Sequence, residues 1–193
     1  MRLRREGRGD IHTLMNTVAL DWLPATDHHH LLAEPVRTAL RRWPGAQKVE
    51  VAEIDPALAD TAALVAATDV SLASSANCLV VRARRGGTER LAAALVLATT
   101  KADINNVVRK TLEARKCSFL AMDAAVDATG MEYGGITPLG LPEEWPVLVD
   151  SRVVTTDQIV IGSGLRRSKI RMPGEAARGL PGARVIEGLA LEA

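Results

Sequence analysis

The stretch TGMEYGGITPLG, residues 129–140, gathers several backbone constraints into one loop. Gly134 and Gly135 can both take positive φ and expose their N–H groups with no Cβ in the way, and Pro138 fixes the path that follows. Such a loop can present converging backbone donors to an anion or a developing oxyanion. It also reads as a tight connection between a helix ending at Gly130 and a strand near Val147. The residues around it decide between these readings.

Downstream, PVLVD at 146–150, QIVIG at 158–162 and SKIRM at 168–172 read as short strands, with Gly162-Ser163-Gly164 as a tight turn and a short helix and strand over 174–187. Upstream, a strand at 117–120 and a helix at 123–129 lead into the loop. Asp103 is a good N-cap for a helix with Ile104, Val107, Val108 and Leu112 on one face, which sets Lys101 at its mouth and Asn105 and Asn106 in its first turn. Earlier still, 78–83 and 90–98 form a hairpin with a basic tip at 84–89. KVEVAEI at 48–54 is a strand, 60–67 a helix capped by Asp60, and Val36, Ala39, Leu40 and Trp43 make a packing helix between Pro35 and Pro44-Gly45. Strands outnumber helices, and several are linked by hairpins. The expected class is α+β: a curved mixed sheet of about six to seven strands with flanking helices.

A chain of 193 residues suits one buried domain, here 28–193, preceded by an arm at 1–27 that carries Arg2, Arg4, Arg5 and Arg8 and reads as poorly ordered. Apolar residues make up 47%, yet there are only three Trp, one Tyr and one Phe, so the core is aliphatic and a broad base-stacking surface is not expected. The net charge of +1 excludes a uniformly basic nucleic-acid binder. Cations nevertheless cluster at Arg82, Arg84 and Arg85, at Arg109 and Lys110, at Arg115 and Lys116, and at Arg166, Arg167, Lys169 and Arg171. If two clusters share a face they can hold a phosphate backbone; singly, each reads as solvated surface charge. Cys78 and Cys117 lie in apolar runs without a CxxC pair, as buried thiols of a reducing compartment do. With no apolar run of about 18 residues, a soluble cytoplasmic protein is expected.

All four histidines fall within the first 30 residues, and His28, His29 and His30 are consecutive, so they do not share a face for one metal ion. Catalysis through Ser/His/Asp or Cys/His would have to recruit the arm. The common phosphate-loop, dinucleotide and nucleophile-elbow patterns are missing.

The order GGITPLG, WPVLVD, VIGSGLRRSKI resembles the YbaK and prolyl-tRNA synthetase-associated editing domain family, and the likeness extends over roughly residues 46–190. The resemblance implies a compact α+β domain that hydrolyses the ester between a wrongly attached amino acid and the terminal ribose of a tRNA, with no metal, no cofactor and no covalent nucleophile. Its partners would be aminoacyl-tRNA and, beyond that, an aminoacyl-tRNA synthetase, with no membrane. Carried over, Gly134, Gly135, Thr137, Pro138 and Gly140 form the carbonyl-holding loop, and Asp150, Gly162, Ser163 and Gly164 line the pocket wall. The chain departs from the family at its lysine pair, which maps onto Asn105 and Asn106, and at a second basic position that appears as Asn77. Asparagine keeps hydrogen-bonding capacity without the charge. Lys101 is the candidate replacement ammonium. The expectation is a free-standing deacylase; the alternatives are a binding module of the same fold and an unrelated small-molecule hydrolase.

Overall fold

The computed structural model describes residues 17–193. The chain enters through β1 (Leu23–Pro24), a helical turn at His29–Leu31, and α1 (Glu34–Arg42), which Pro35 starts and which buries Val36 and Leu40. Then come β2 (Glu50–Glu53) and α2 (Thr61–Ala67), whose cap is the Asp60 carboxylate accepting from Ala62 N–H at 2.9 Å. The strands β3 (Ala76–Arg85) and β4 (Thr88–Leu97) form a long hairpin. Its turn is only Gly86-Gly87, at φ 56° and 83°, because a two-residue turn matching strand twist needs positive φ at both positions. The expected longer loop is therefore strand, and Arg84, Arg85 and Glu89 belong to the ladder.

A short strand, β5 (Thr100–Ala102), precedes one wide helical turn at Ile104–Val108 and α3 (Arg109–Thr111). Next follow β6 (Lys116–Phe119), α4 (Met122–Thr129), β7 (Val147–Asp150) and α5 (Ser151–Thr155). β8 (Gln158–Gly162), β9 (Ser168–Pro173), β10 (Ala183–Ile186) and β11 (Ala190–Glu192) complete the chain.

The α+β class is as expected, but the strands divide into three sheets: β1-β2-β9-β8, β10-β7-β4-β3-β6 and the pair β11-β5. The chain leaves the five-stranded sheet at Asp150. Its carboxylate caps α5 through Arg152 N–H at 2.9 Å, and that turn of helix carries the chain out of the five-stranded sheet; the β8–β9 hairpin then pairs with β2. The five-stranded sheet is covered on both faces. Val80, Ala93, Leu95, Val147 and Val149 meet Ile159, Ile161 and Ile170 of the other sheet, while Val81, Ala92, Ala94 and Leu148 pack on Val108, Leu112 and Leu189.

Residues 18–25, which the sequence assigns to the arm, pair with the domain. Val18 N–H donates to Ala67 O at 2.9 Å, Leu20 N–H to Asp69 Oδ1 at 3.1 Å, and Ala25 is fully buried with its N–H on Val49 O. The Trp22 ring lies 4.7 Å from the Arg171 guanidinium carbon. This segment docks through backbone pairing and through Leu20, Trp22 and Ala25, which pack on the core. The basic residues Arg2, Arg4, Arg5 and Arg8 lie outside the described residues. Among the described residues no helix is long and apolar enough to cross a membrane, and no group of three His, Cys, Asp or Glu could hold a metal ion.

Candidate active site

A cavity of about 540 Å³ opens where the start of β3 passes the end of β8. Asn77, Cys78 and Leu79 form one wall, Val160 to Gly162 and Lys169 another, the start of α2 a third, and Tyr133, Gly134 and Ile136 of the glycine loop the fourth. Small residues keep it open, since Ala59, Ala62, Ala76 and Ala98 stand where longer side chains would fill the space.

The glycine loop closes on β8 by direct backbone contact. A Cβ on Gly162 would sit 2.1 Å from Gly135 O, and one on Gly135 would sit 2.6 Å from Leu165 O. Gly164 N–H donates to Gly135 O at 2.7 Å. Gly134 takes φ 79°, as a left-handed glycine can, whereas Gly135 does not need positive φ: it is glycine because another backbone occupies its side-chain position. Arg166 ties the loop down, its backbone N–H donating to Glu132 and its guanidinium to Tyr133 O at 2.9 Å and Pro56 O at 3.1 Å.

The cavity's ammonium is Lys169. It is buried, and Nζ donates to Ala59 O at 2.7 Å and Gly134 O at 3.1 Å. Burial pushes its pKa down to about 8; the Asp60 carboxylate works against this shift, and the Arg166 guanidinium adds to it. An ammonium carries three donors, so two carbonyls leave one N–H for a further acceptor. Across the cavity, Asn77 Oδ1 accepts from Thr61 Oγ1 at 3.1 Å. Burial raises the Cys78 thiol to about 12, so at neutral pH it is not a thiolate nucleophile.

Of the residues singled out in the sequence, Asn77, Gly134 and Gly162 line this cavity, and Gly135 lies directly behind it. The others lie elsewhere. Lys101 is exposed on β5 opposite Leu191 of β11, and the Asn106 amide is taken up by the Asp103 carboxylate at 3.1 Å and 3.3 Å. Thr137 is fully buried, Pro138 turns toward α1, and a Cβ on Gly140 would meet the Pro35 backbone at 2.5 Å. Ser163 bonds Ser168 Oγ at 2.7 Å inside the β8–β9 turn, and Gly164 makes room for Ala33. Asp150 is buried against Arg152 and Ala190 N–H: burial alone would raise its pKa, but these donors hold it below the usual carboxylate value. Its place is structural, at the junction of β7, α5 and β11.

Lys169 escaped the sequence reading because it sits in a basic cluster, and such clusters normally face water. Its burial follows from its place on β9 opposite Gly162 of β8, a register that the linear sequence does not show.

Fold and cleft together define a small α+β domain built around a lysine-bearing pocket under a glycine loop. Residues 55–180 match the aminoacyl-tRNA editing domain family, and the chain belongs to it, which places its general role in aminoacyl-tRNA editing. A search of curated proteins by sequence finds no match. Among solved structures, a proposed trans-editing enzyme for prolyl-tRNA synthetase superposes with a TM-score of 0.68 at 18% identity, covering 82% of this chain and 96% of the other. A hypothetical protein, APE2540, gives 0.67 at 17% identity over 82% and 100%. A scaffold from computational epitope grafting gives 0.69 at 19% over 83% and 97%. At these identities the likeness is one of fold.

Proposed function

We propose that the protein is a trans-acting aminoacyl-tRNA deacylase, hydrolysing the ester that joins a wrongly attached amino acid to the terminal ribose, with Lys169 as its electrostatic catalyst. The observation that carries this is the Lys169 ammonium, buried in the cavity and fixed to Gly134 O. A fixed positive charge in a partly desolvated site stabilises negative charge on a reacting carbonyl oxygen far better than one in water. The ester carbonyl would accept the remaining Lys169 N–H. Water oxygen then bonds to the carbonyl carbon, the ribose oxygen departs with a proton, and the free amino acid and tRNA leave. Tyr133, exposed at the cavity edge with Arg166 5.9 Å from its ring centre, offers one face for stacking the terminal base. A synthetase would act as the source of the mischarged tRNA.

A second reading is a binding module of the same fold. Asn77 favours it, because the family's basic residue there is replaced by an amide that can bind an ester without polarising it strongly. The experiment is release of amino acid from a panel of mischarged tRNAs at low salt by wild type and Lys169→Met. Turnover of at least one substrate that the substitution abolishes supports the enzyme; tight tRNA binding with no turnover across the panel leaves the binding module.

A further inference from the structure

We infer that the β3–β4 hairpin and the adjoining start of β6 form a phosphate-binding surface for the duplex part of the same tRNA whose 3′ end enters the cavity; this rests on the reading of the substrate as aminoacyl-tRNA. Two depressions flank the Gly86-Gly87 turn, of about 220 Å³ and 490 Å³, and Arg84 and Arg85 border both. Arg90 lines the smaller, and Arg115 and Lys116 line the larger. Carboxylates here are few and already engaged. Glu89 pairs with Arg82 at 3.0 Å and Arg84 at 2.8 Å, and Glu113 pairs loosely with Arg85 at 3.6 Å. Arg90, Arg115 and Lys116 are exposed and have no ion-pair partner among the described residues.

The register supplies an independent argument. Arg84 on β3 stands directly opposite Lys116 on β6, and like charges at such cross-strand positions destabilise a sheet. Glu89 offsets Arg84 and Glu113 partly offsets Arg85, but Arg90, Arg115 and Lys116 leave a net excess of cations at the turn, which favours a polyanion. The span also fits. β3 runs from Asn77 and Cys78 in the cavity to Arg84 and Arg85 at the turn, and at about 3.3 Å per residue this is roughly 20–25 Å. That distance corresponds to several nucleotides of backbone between a ribose in the cavity and phosphates at the turn. Exposed cationic side chains at the turn suit contacts to backbone, independent of sequence.

The test uses the full chain and uncharged tRNA, so that it does not depend on turnover. Binding is followed across salt concentrations for wild type, Arg115→Ala/Lys116→Ala and Arg90→Ala, alongside binding of a non-hydrolysable aminoacyl-adenosine analogue. The double variant should lose about tenfold or more in tRNA affinity at low salt, with a salt slope shallower by about 1.5, each phosphate contact contributing about 0.7–0.9. Arg90→Ala should lose about half that slope, and analogue affinity should stay at the wild-type value in both. Unchanged tRNA affinity and slope in both variants would overturn the assignment. So would a parallel loss of analogue binding, since the turn would then be acting through the cavity. Failure of the deacylase reading shows separately, in the mischarged-tRNA panel, as tRNA bound with its aminoacyl ester intact.

Discussion

Lys169 Nζ lies 3.1 Å from the carbonyl oxygen of Gly134, so the charge in the cavity and the loop that covers it are one unit. The lysine holds the loop in place, and the loop's carbonyl fixes the direction of the ammonium. Replacing Lys169 with Met should therefore lower deacylation by about 10²-fold or more, one lost transition-state contact being worth roughly 3 kcal/mol. The wild-type rate, corrected for spontaneous hydrolysis, should fall as pH rises past about 8, where the ammonium loses its proton. Lys101→Ala should leave the rate within about twofold, since it sits on exposed β5 away from the cavity. A pH profile that stays flat through 8 while Lys169→Met remains active would remove the lysine from the chemistry.

The same group sets a stability trend. Its folded pKa, about 8, lies below the ordinary 10.5, so between these values the unfolded chain holds more protons and stability contributed by this site rises with pH. Below about pH 8 the full cost of burying the ammonium is present, roughly 3 kcal/mol, and it is relieved toward pH 10.5. Urea unfolding of wild type and Lys169→Met at pH 7.5 and 9.5 isolates the effect from other titrating groups. Wild type should gain relative to the variant at the higher pH.

The hairpin, the Asp60 and Asp103 caps and the α+β class are legible from the sequence because each depends on local chemistry: a Gly-Gly turn, a carboxylate before a helix, short apolar runs. The site is legible only where the glycine loop marks it. Gly140, Asp150, Ser163 and Gly164 stand out in the chain, and close backbone approach, capping and the β8–β9 turn account for their residue types. Lys169 is the converse case: its role depends on which strand lies opposite and how deep β9 runs. Neither follows from SKIRM, whose residues from Ser168 to Ile170 are all buried without alternation.

Gly135 separates packing from conformational freedom. Its φ is available to any residue, but a Cβ would lie 2.6 Å from Leu165 O and 2.8 Å from Leu165 N, both backbone atoms that cannot swing aside. Gly135→Ala should therefore cost roughly 2–3 kcal/mol in unfolding free energy. Loss of ligand binding in a variant as stable as wild type would show that Gly135 acts on the ligand and not through the loop's seat on β8.

Truncation tests where the domain begins. Deleting residues 1–27 removes the Leu23–Pro24 pairing with β2, fully buried Ala25 and the Trp22–Arg171 contact, so Tm should fall by several degrees, each kcal/mol lost being worth about 2–4 °C. Equal melting temperatures for the truncated and full chains would mean that residues 17–27 contribute nothing to the folded domain.

The last prediction asks whether the cavity needs a lysine at one position or only a positive charge within it. Asn77 lines the cavity on the wall formed by β3, its Oδ1 accepting from Thr61 Oγ1, while Lys169 reaches in from β9. The family resemblance puts one of its basic positions at Asn77, on the wall facing the one that carries Lys169. In the Lys169→Met background, Asn77→Lys should restore activity to within about tenfold of wild type, since stabilising a developing oxyanion depends on the donor's distance more than on the strand that carries it. In the wild-type background the same substitution puts two ammonium groups in one cavity, which should depress the Lys169 pKa further and shift the fall in rate below pH 8. Steady-state rates of the two single variants and the double variant on one mischarged tRNA, with the pH profile of Asn77→Lys, measure both effects. A folded double variant that binds tRNA and stays as inactive as Lys169→Met would show that the position of the lysine, and not the presence of its charge, is what the chemistry requires.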